Sequence, residues 1–166
     1  MLFRSFILPR IGASVTYYGA ALIRQFEMQG IATAVSSHSL TMARDKLHCL
    51  QMLTKIDVGM PKTYFTQYYY DIDEVITSLG GFPFVVKHIE GTQGHGVFLI
   101  KDRKQTTEVI HHHRTKDIRF IIQEFIEESK GSDIRAFVVE GQVVAAMKRL
   151  AAKGRSEEHT SELQSH

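Results

Sequence analysis

Apolar positions crowd residues 3–8 and stop at Pro9, which predicts a short strand with an exit loop through Arg10 and Gly12. Ser14 or Thr16 can then cap a helix in which Ala20, Ile23 and Phe26 recur at helical spacing up to Met28, and Gly30 supplies its stop. Residues 31–35 predict a second short strand, followed by turn chemistry at Ser36, Ser37 and Ser39. A helix or helix pair is expected over about residues 40–56, with Leu47, Leu50, Met52 and Leu53 as its buried stripe and Gly59 as its end. Pro61 opens an extended piece through Phe65. Asp71 or Asp73 caps a further helix, carrying Val75, Ile76 and Leu79, that stops at Gly80 and Gly81.

The second half changes character. Residues 84–89 and 97–100 are rich in β-branched and aromatic side chains and flank a glycine-rich connection, the pattern of a hairpin. A helix is expected over residues 105–113, then strands over 120–123, 134–139 and 142–147, the last two joined by a tight turn at Glu140 and Gly141. The order is therefore helix-rich first and mixed antiparallel afterwards, an α+β arrangement with no internal repeat.

With 166 residues, 43% of them hydrophobic and 23% charged, the chain can form one ordinary core or two small lobes. No apolar run is long enough for a bilayer and residues 1–10 do not read as a secretory signal, so a soluble, cytoplasmic protein without membrane contact is expected. Twenty lysines and arginines against 18 aspartates and glutamates leave a formal charge of +2, too balanced for a dedicated nucleic-acid binder. The single cysteine, Cys49, cannot form an internal disulfide and reads as a small buried apolar residue. Residues 155–166 have almost no apolar content and read as a disordered tail; they also match the translation of a common sequencing-library adapter, which makes them a non-native appendage.

Candidate chemistry concentrates around Val86-Lys87-His88-Ile89-Glu90-Gly91-Thr92-Gln93-Gly94-His95-Gly96-Val97. A lysine that interrupts an apolar strand just before three glycines either points to solvent or pairs with an anion such as a phosphate. The spacing G-x-x-G-x-G is neither a dinucleotide fingerprint nor a P-loop, and a strand follows it, so the glycines sit at a hairpin tip that can fold over a polyphosphate or serve as an ordinary mobile turn. Residues 121–126 form an apolar strand ending in polar groups, where exposed backbone can grip a nucleobase. Asp133 and Arg135 share one strand face and read as ligands for a ribose hydroxyl and an anion, or as a surface ion pair. Lys46, in Arg44-Asp45-Lys46, and Arg10 are mute on spacing alone, and Arg149 reads as an anion ligand or a hairpin cap. The run His111-His112-His113 cannot converge on one metal ion and is expected on the solvated end of its helix.

Jointly, Pro9-Arg10-Ile11-Gly12, Tyr18-Gly19, Ala43-Arg44-Asp45-Lys46, the Lys87 and Glu90-to-Val97 segment, Gln123-Glu124-Phe125-Ile126 and Asp133-Ile134-Arg135 resemble the RimK group of the ATP-grasp superfamily over residues 7–154. The resemblance implies a two-lobed ATP-grasp fold with ATP in the cleft. Residues 1–35 would be the remnant of an N-terminal pre-ATP-grasp lobe and residues 36–154 a partial ATP-grasp domain. It implies an ATP-dependent carboxylate–amine ligase that adds glutamate to a peptide or protein C-terminus through an acyl phosphate, with Mg²⁺ as companion of ATP. Lys46 and Lys87 would meet the phosphates, Glu90, Gly91, Thr92, Gln93, Gly94 and Gly96 would form the flap, and Glu124 with Phe125 would meet the adenine edge. Asp133 would meet the ribose, Arg135 and Arg149 would address substrate or acyl-phosphate oxygens, and Arg10 would orient the acceptor.

Relatives implied by the resemblance begin earlier and continue into metal-binding sequence, so a fragment truncated at both ends, without turnover, is expected. The alternative is a non-catalytic ATP-binding or regulatory module. A kinase-like reading would need a catalytic-loop aspartate and a D-F-G segment, and the chain has neither.

Overall fold

In the computed structural model, which describes residues 5–66, 72–91, 96–129 and 132–150, the chain divides into two units, Met1–Met60 and Pro61–His166. The first is helix-rich. Its strands β1 (Phe6–Ile7) and β2 (Ala32–Thr33) pair in parallel, Phe6 opposite Ala32 and Ile7 opposite Thr33. Parallel neighbours need a crossover, and helix α1 (Thr16–Met28) supplies it, burying Gly19, Ala20 and Ile23. A side chain at Gly19 would overlap Ile11, so glycine lets the helix lie directly on that residue. The predicted stop at Gly30 is observed: at φ +73° it lets its N–H reach Glu27 O and the Ile31 N–H reach Phe26 O, both at 3.0 Å. The predicted start is not, because neither Ser14 nor Thr16 caps α1. A 3₁₀ turn, Ala13–Val15, leads into it, and the Thr16 hydroxyl donates back to Ala13 O at 2.8 Å.

The predicted helix pair resolves into α2 (Ser37–Arg44) and α3 (Lys46–Leu53), broken at Asp45. Ser36 caps α2 by accepting from the Ser39 N–H at 2.9 Å, and Asp45 caps α3 by accepting from the His48 N–H at 2.8 Å. The expected buried stripe is absent, since α3 buries no residue, and Met52 and Leu53 are 42% and 37% exposed. At about 100° per residue, Met52 projects away from Leu47 and Leu50, so these positions do not share a face. Asp57, at φ +49°, rather than Gly59, ends the 3₁₀ turn that follows. Cys49 is half-buried, its thiol donating to Met42 O at 3.3 Å.

The second unit is built on an antiparallel sheet of order β3 (Thr63–Tyr64), β6 (Phe120–Glu124), β4 (Phe84–His88), β5 (Val97–Ile100). Ile72 and Val75 of α4 (Ile72–Ser78) and Ile110 of α5 (Arg103–Thr115) pack on one face, against Phe84, Val86, Ile100, Phe120 and Ile122. Val85 and Ile121, on the alternate positions, are buried as well, which is why these strands read as continuous apolar runs rather than alternating ones. Asp71 lies outside the described residues, while Asp73 sits inside the first turn of α4 and pairs with Arg103 of α5. Strands β7 (Ser132–Val139) and β8 (Gln142–Leu150) form a separate ribbon whose turn has positive φ at both Glu140 (+50°) and Gly141 (+77°). Among the described residues no helix is long and apolar enough to cross a membrane.

One expectation is overturned here. His111 and His112 are exposed, but His113 is completely buried, its ring hydrogen-bonded to His88 of β4. On a helix packed against a sheet, the third of three consecutive residues turns far enough to face inward.

Candidate active site

Strand β4 sends Phe84 and Val86 toward α5 and, by alternation, Val85 and Lys87 to the opposite face. Lys87 is half-buried between Val97 of β5 and Ile121 of β6, its register partners. Both register neighbours are apolar. Thr92, Gln93 and Gly94 lie outside the described residues. The frame of their loop is described. Gly91 is half-buried, and Gly96 stands at φ +80° with its carbonyl accepting from the His88 N–H at 2.8 Å. A Cβ at Gly96 would fall within the His88 imidazole, so both backbone and space demand glycine here. Glu90, at the other end of the frame, is ion-paired with Arg119 at an exposed position.

Strand β6 leaves the sheet at Glu124. The Glu124 N–H donates to Lys62 O at 2.9 Å and its carboxylate accepts from the Lys62 N–H at 2.8 Å, so the side chain clamps the segment leading into β3. Phe125, the next residue, is half-buried.

On the ribbon, Asp133 stands opposite Arg149 and accepts two hydrogen bonds from its guanidinium, the Nε contact at 2.7 Å. The ion-pair alternative for Asp133 and Arg135 thus takes another partner: Asp133 pairs with Arg149, and Arg135 is exposed opposite Met147. Hydrogen bonding from Arg149, reinforced by the charges of Arg149 and Arg135 and opposed by partial burial, holds the Asp133 carboxyl below its ordinary range.

In the first unit, Lys46 is the first residue of α3 and half-buried, directly after the Asp45 cap. Arg44 donates to Ile11 O at 3.0 Å, tying the end of α2 to the Arg10-Ile11-Gly12 segment, and exposed Arg10 borders an open hollow of about 440 Å³ with Pro9, Val35 and Leu40. Glu27 of α1 reaches the start of α2, accepting from the Ser37 N–H at 2.9 Å and the Ser37 hydroxyl at 2.6 Å. The hydroxyl bond, followed by the backbone one, lowers the Glu27 carboxyl from its ordinary value.

Three participants escaped the sequence reading. Glu27 resembled any helical glutamate; its only signal was a serine cluster ten residues on. His88 and His113 carried no periodic or motif signal that linked them.

Comparison with known proteins gives this geometry a lineage. The RimK-like ATP-grasp domain matches residues 43–163 and the RimK PreATP-grasp domain matches residues 4–40. A probable alpha-L-glutamate ligase of Cellvibrio japonicus is 49% identical over 148 residues, covering 89% of this chain and 49% of that protein. The chain therefore spans about half the length of such curated relatives. Among solved structures, a RimK domain protein ATP-grasp from Sphaerobacter thermophilus superposes with a TM-score of 0.71 at 20% identity, over 95% of this chain and 58% of the other. D-alanine–D-alanine ligase from Bacillus anthracis complexed with ATP gives 0.70 at 21%, over 90% and 49%. Mixed helices and antiparallel strands in this order are those of an ATP-grasp fold, and the chain belongs to the RimK-like ATP-grasp family.

Proposed function

We propose that this chain is the nucleotide-gripping part of an ATP-dependent carboxylate–amine ligase that attaches glutamate to the C-terminus of a peptide or protein. The observation that carries the reading is Lys87 on a buried strand next to a loop whose base, Gly96, admits no side chain. The 49% identity to a probable alpha-L-glutamate ligase supports the choice of glutamate.

In this reading a carboxylate oxygen attacks the γ-phosphorus of ATP, the bond to the β-phosphate oxygen breaks, and an acyl phosphate and ADP result. An amine then attacks the acyl carbon, inorganic phosphate leaves, and the amine gives up a proton as the amide forms. Charge develops on phosphate oxygens rather than on a protein nucleophile, so the protein's task is to position and neutralise. Lys87 and Lys46 neutralise the phosphates, and the loop from Gly91 to Gly96 covers them. The Glu124 carbonyl and Phe125 receive the adenine edge. Asp133 meets the ribose while staying ionised through Arg149, and Arg135 and Arg149 serve the acyl-phosphate oxygens. Mg²⁺ arriving with the nucleotide would supply further charge neutralisation. Among the described residues no three His, Cys, Asp or Glu side chains gather to hold a metal, so none is assigned to it.

The test is calorimetric titration of the 166-residue chain with Mg·ATP, alongside Lys87→Ala, and of a protein of the relatives' full length in an ADP-release assay with glutamate and a C-terminal glutamate peptide. ATP binding that weakens in Lys87→Ala, with glutamate-dependent ADP release in the longer protein, is expected. A folded longer protein that binds no nucleotide defeats the reading.

A further inference from the structure

Beside the C-terminal end of α5 the second unit holds a hollow of about 240 Å³. Phe65, Ile118 and Phe120 give it an apolar wall, and Arg114, Asp117 and Arg119 border it with charge. Phe120 packs with Ile110 and Ile122 on the face of the sheet that carries α5, whereas Lys87 alternates to the other face, so the hollow is not part of the nucleotide site proposed above. Helix α5 ends there in a left-handed turn: the Ile118 N–H donates to His113 O at 2.8 Å and the Asp117 N–H to Arg114 O at 3.1 Å. Asp117 occupies the left-handed position, at φ +51°, where glycine is the common occupant. The turn therefore presents a carboxylate where a residue without a side chain would serve the backbone better. Arg119 is engaged with Glu90, but among the described residues neither Arg114 nor Asp117 forms an ion pair. His113 also borders the hollow, with Nδ1 2.6 Å from Val109 O and Nε2 2.9 Å from His88 Nε2, so its ring contributes an edge rather than a polar contact.

We propose that this hollow binds a free α-amino acid with an aromatic side chain: its α-carboxylate meets Arg114, its α-ammonium meets Asp117, and its ring lies against Phe65 and Phe120. Three observations single out this class. The volume falls below the about 300–1,000 Å³ of sites for drug-sized ligands, which suits an amino acid better than a nucleotide. Charges of both signs border the hollow, so an occupant with one charge leaves the other group unanswered, whereas a zwitterion answers both. The apolar wall includes two phenylalanines, of which Phe65 is 49% exposed, and a ring set offset or edge-on to them gains more than plain burial gives. The proposal does not depend on the ligase reading.

The test is titration of the full 166-residue chain with L-phenylalanine, followed through the ¹H–¹⁵N shifts of the Ile118 and Arg119 amides, whose residues border the hollow. Saturable shifts with a Kd on the order of 1 mM are expected for a ligand of about a dozen non-hydrogen atoms in an open site. 3-Phenylpropionate lacks the ammonium and phenethylamine lacks the carboxylate; each should bind about tenfold more weakly, the equivalent of one lost charge-assisted hydrogen bond. L-Alanine, which lacks the ring, should bind more weakly by at least about tenfold. Asp117→Gly removes the carboxylate and eases the left-handed turn, so it should melt no lower than the parent and yet bind phenylalanine about tenfold more weakly. Arg114→Gln, at an exposed helical position, should lose phenylalanine affinity to the same extent and leave the affinity for phenethylamine unchanged. Absence of a saturable shift up to about 20 mM overturns the proposal. So does an Asp117→Gly variant that binds like the parent, which would show that Asp117 serves only the turn, and so does equal binding of 3-phenylpropionate, which would show that no zwitterion is read.

Discussion

Replacing Gly96 by alanine separates two costs that a glycine in a left-handed turn usually hides together. The backbone cost is common to any residue forced to positive φ, about 1–2 kcal/mol. Gly80, at φ +87° with nothing within 4 Å of a built Cβ, pays only that cost and sits in the same unit. At Gly96 the added methyl must also displace the His88 ring, which breaks the 2.9 Å link and strands a buried acceptor on His113. That adds about 1–3 kcal/mol, for a total of about 2–5 kcal/mol. With a urea slope of about 2 kcal/mol per molar, Gly80→Ala should lower the unfolding midpoint by about 0.5–1 M and Gly96→Ala by about 1–2.5 M. Far-UV circular dichroism of the full chain measures both. Equal midpoint shifts in the two variants would refute the reasoning, because the steric part of the cost would then be absent.

Other perturbations follow the same logic. Ile122→Ala removes a fully buried side chain from the core against α4 and α5, and should cost about 2–5 kcal/mol in the same urea experiment. Asp133, whose folded carboxyl titrates below its unfolded one, stabilises the ribbon fully above the ordinary aspartate range, and the contribution disappears as pH falls through the folded value. Amide exchange along β7 and β8 should therefore rise on acidification below about pH 4 in the parent and show no such step in Asp133→Asn. Glu27 has the same sign: Ser37 holds its carboxyl low, so protonation should release the Ser37 amide only well into the acid range, seen as a late shift of that amide and absent in Glu27→Gln.

What the sequence made legible was local. The runs that became β4 and β6 announce themselves because both faces are buried, β5 because all four of its residues are apolar, the two glycine-terminated helices carry their stops in the chain, and Glu140-Gly141 names its own turn. Long-range partners stayed hidden. The parallel pairing of β1 and β2 involves two residues on each side, too few for any pattern. The bond from Glu27 to Ser37 depends on how α1 returns to α2, and Arg149 meets Asp133 only through the ribbon's register. His113 was misplaced because three histidines in a row look solvated, and nothing in the chain says that one of them turns inward to another histidine on a strand. The resemblance, by contrast, names Lys87 and the glycine segment without any long-range partner, because they are contiguous in sequence.

Asp45 is the hinge pin of the first unit: one residue ends α2 through its backbone and begins α3 through its side chain, and Lys46 is the next residue along. Where α3 begins, and so where Lys46 enters it, is set by that neighbour. Asp45→Ala takes away the acceptor of the His48 N–H and should fray the start of α3 first, while the backbone link from Asp45 to Met42 O that closes α2 stays in place.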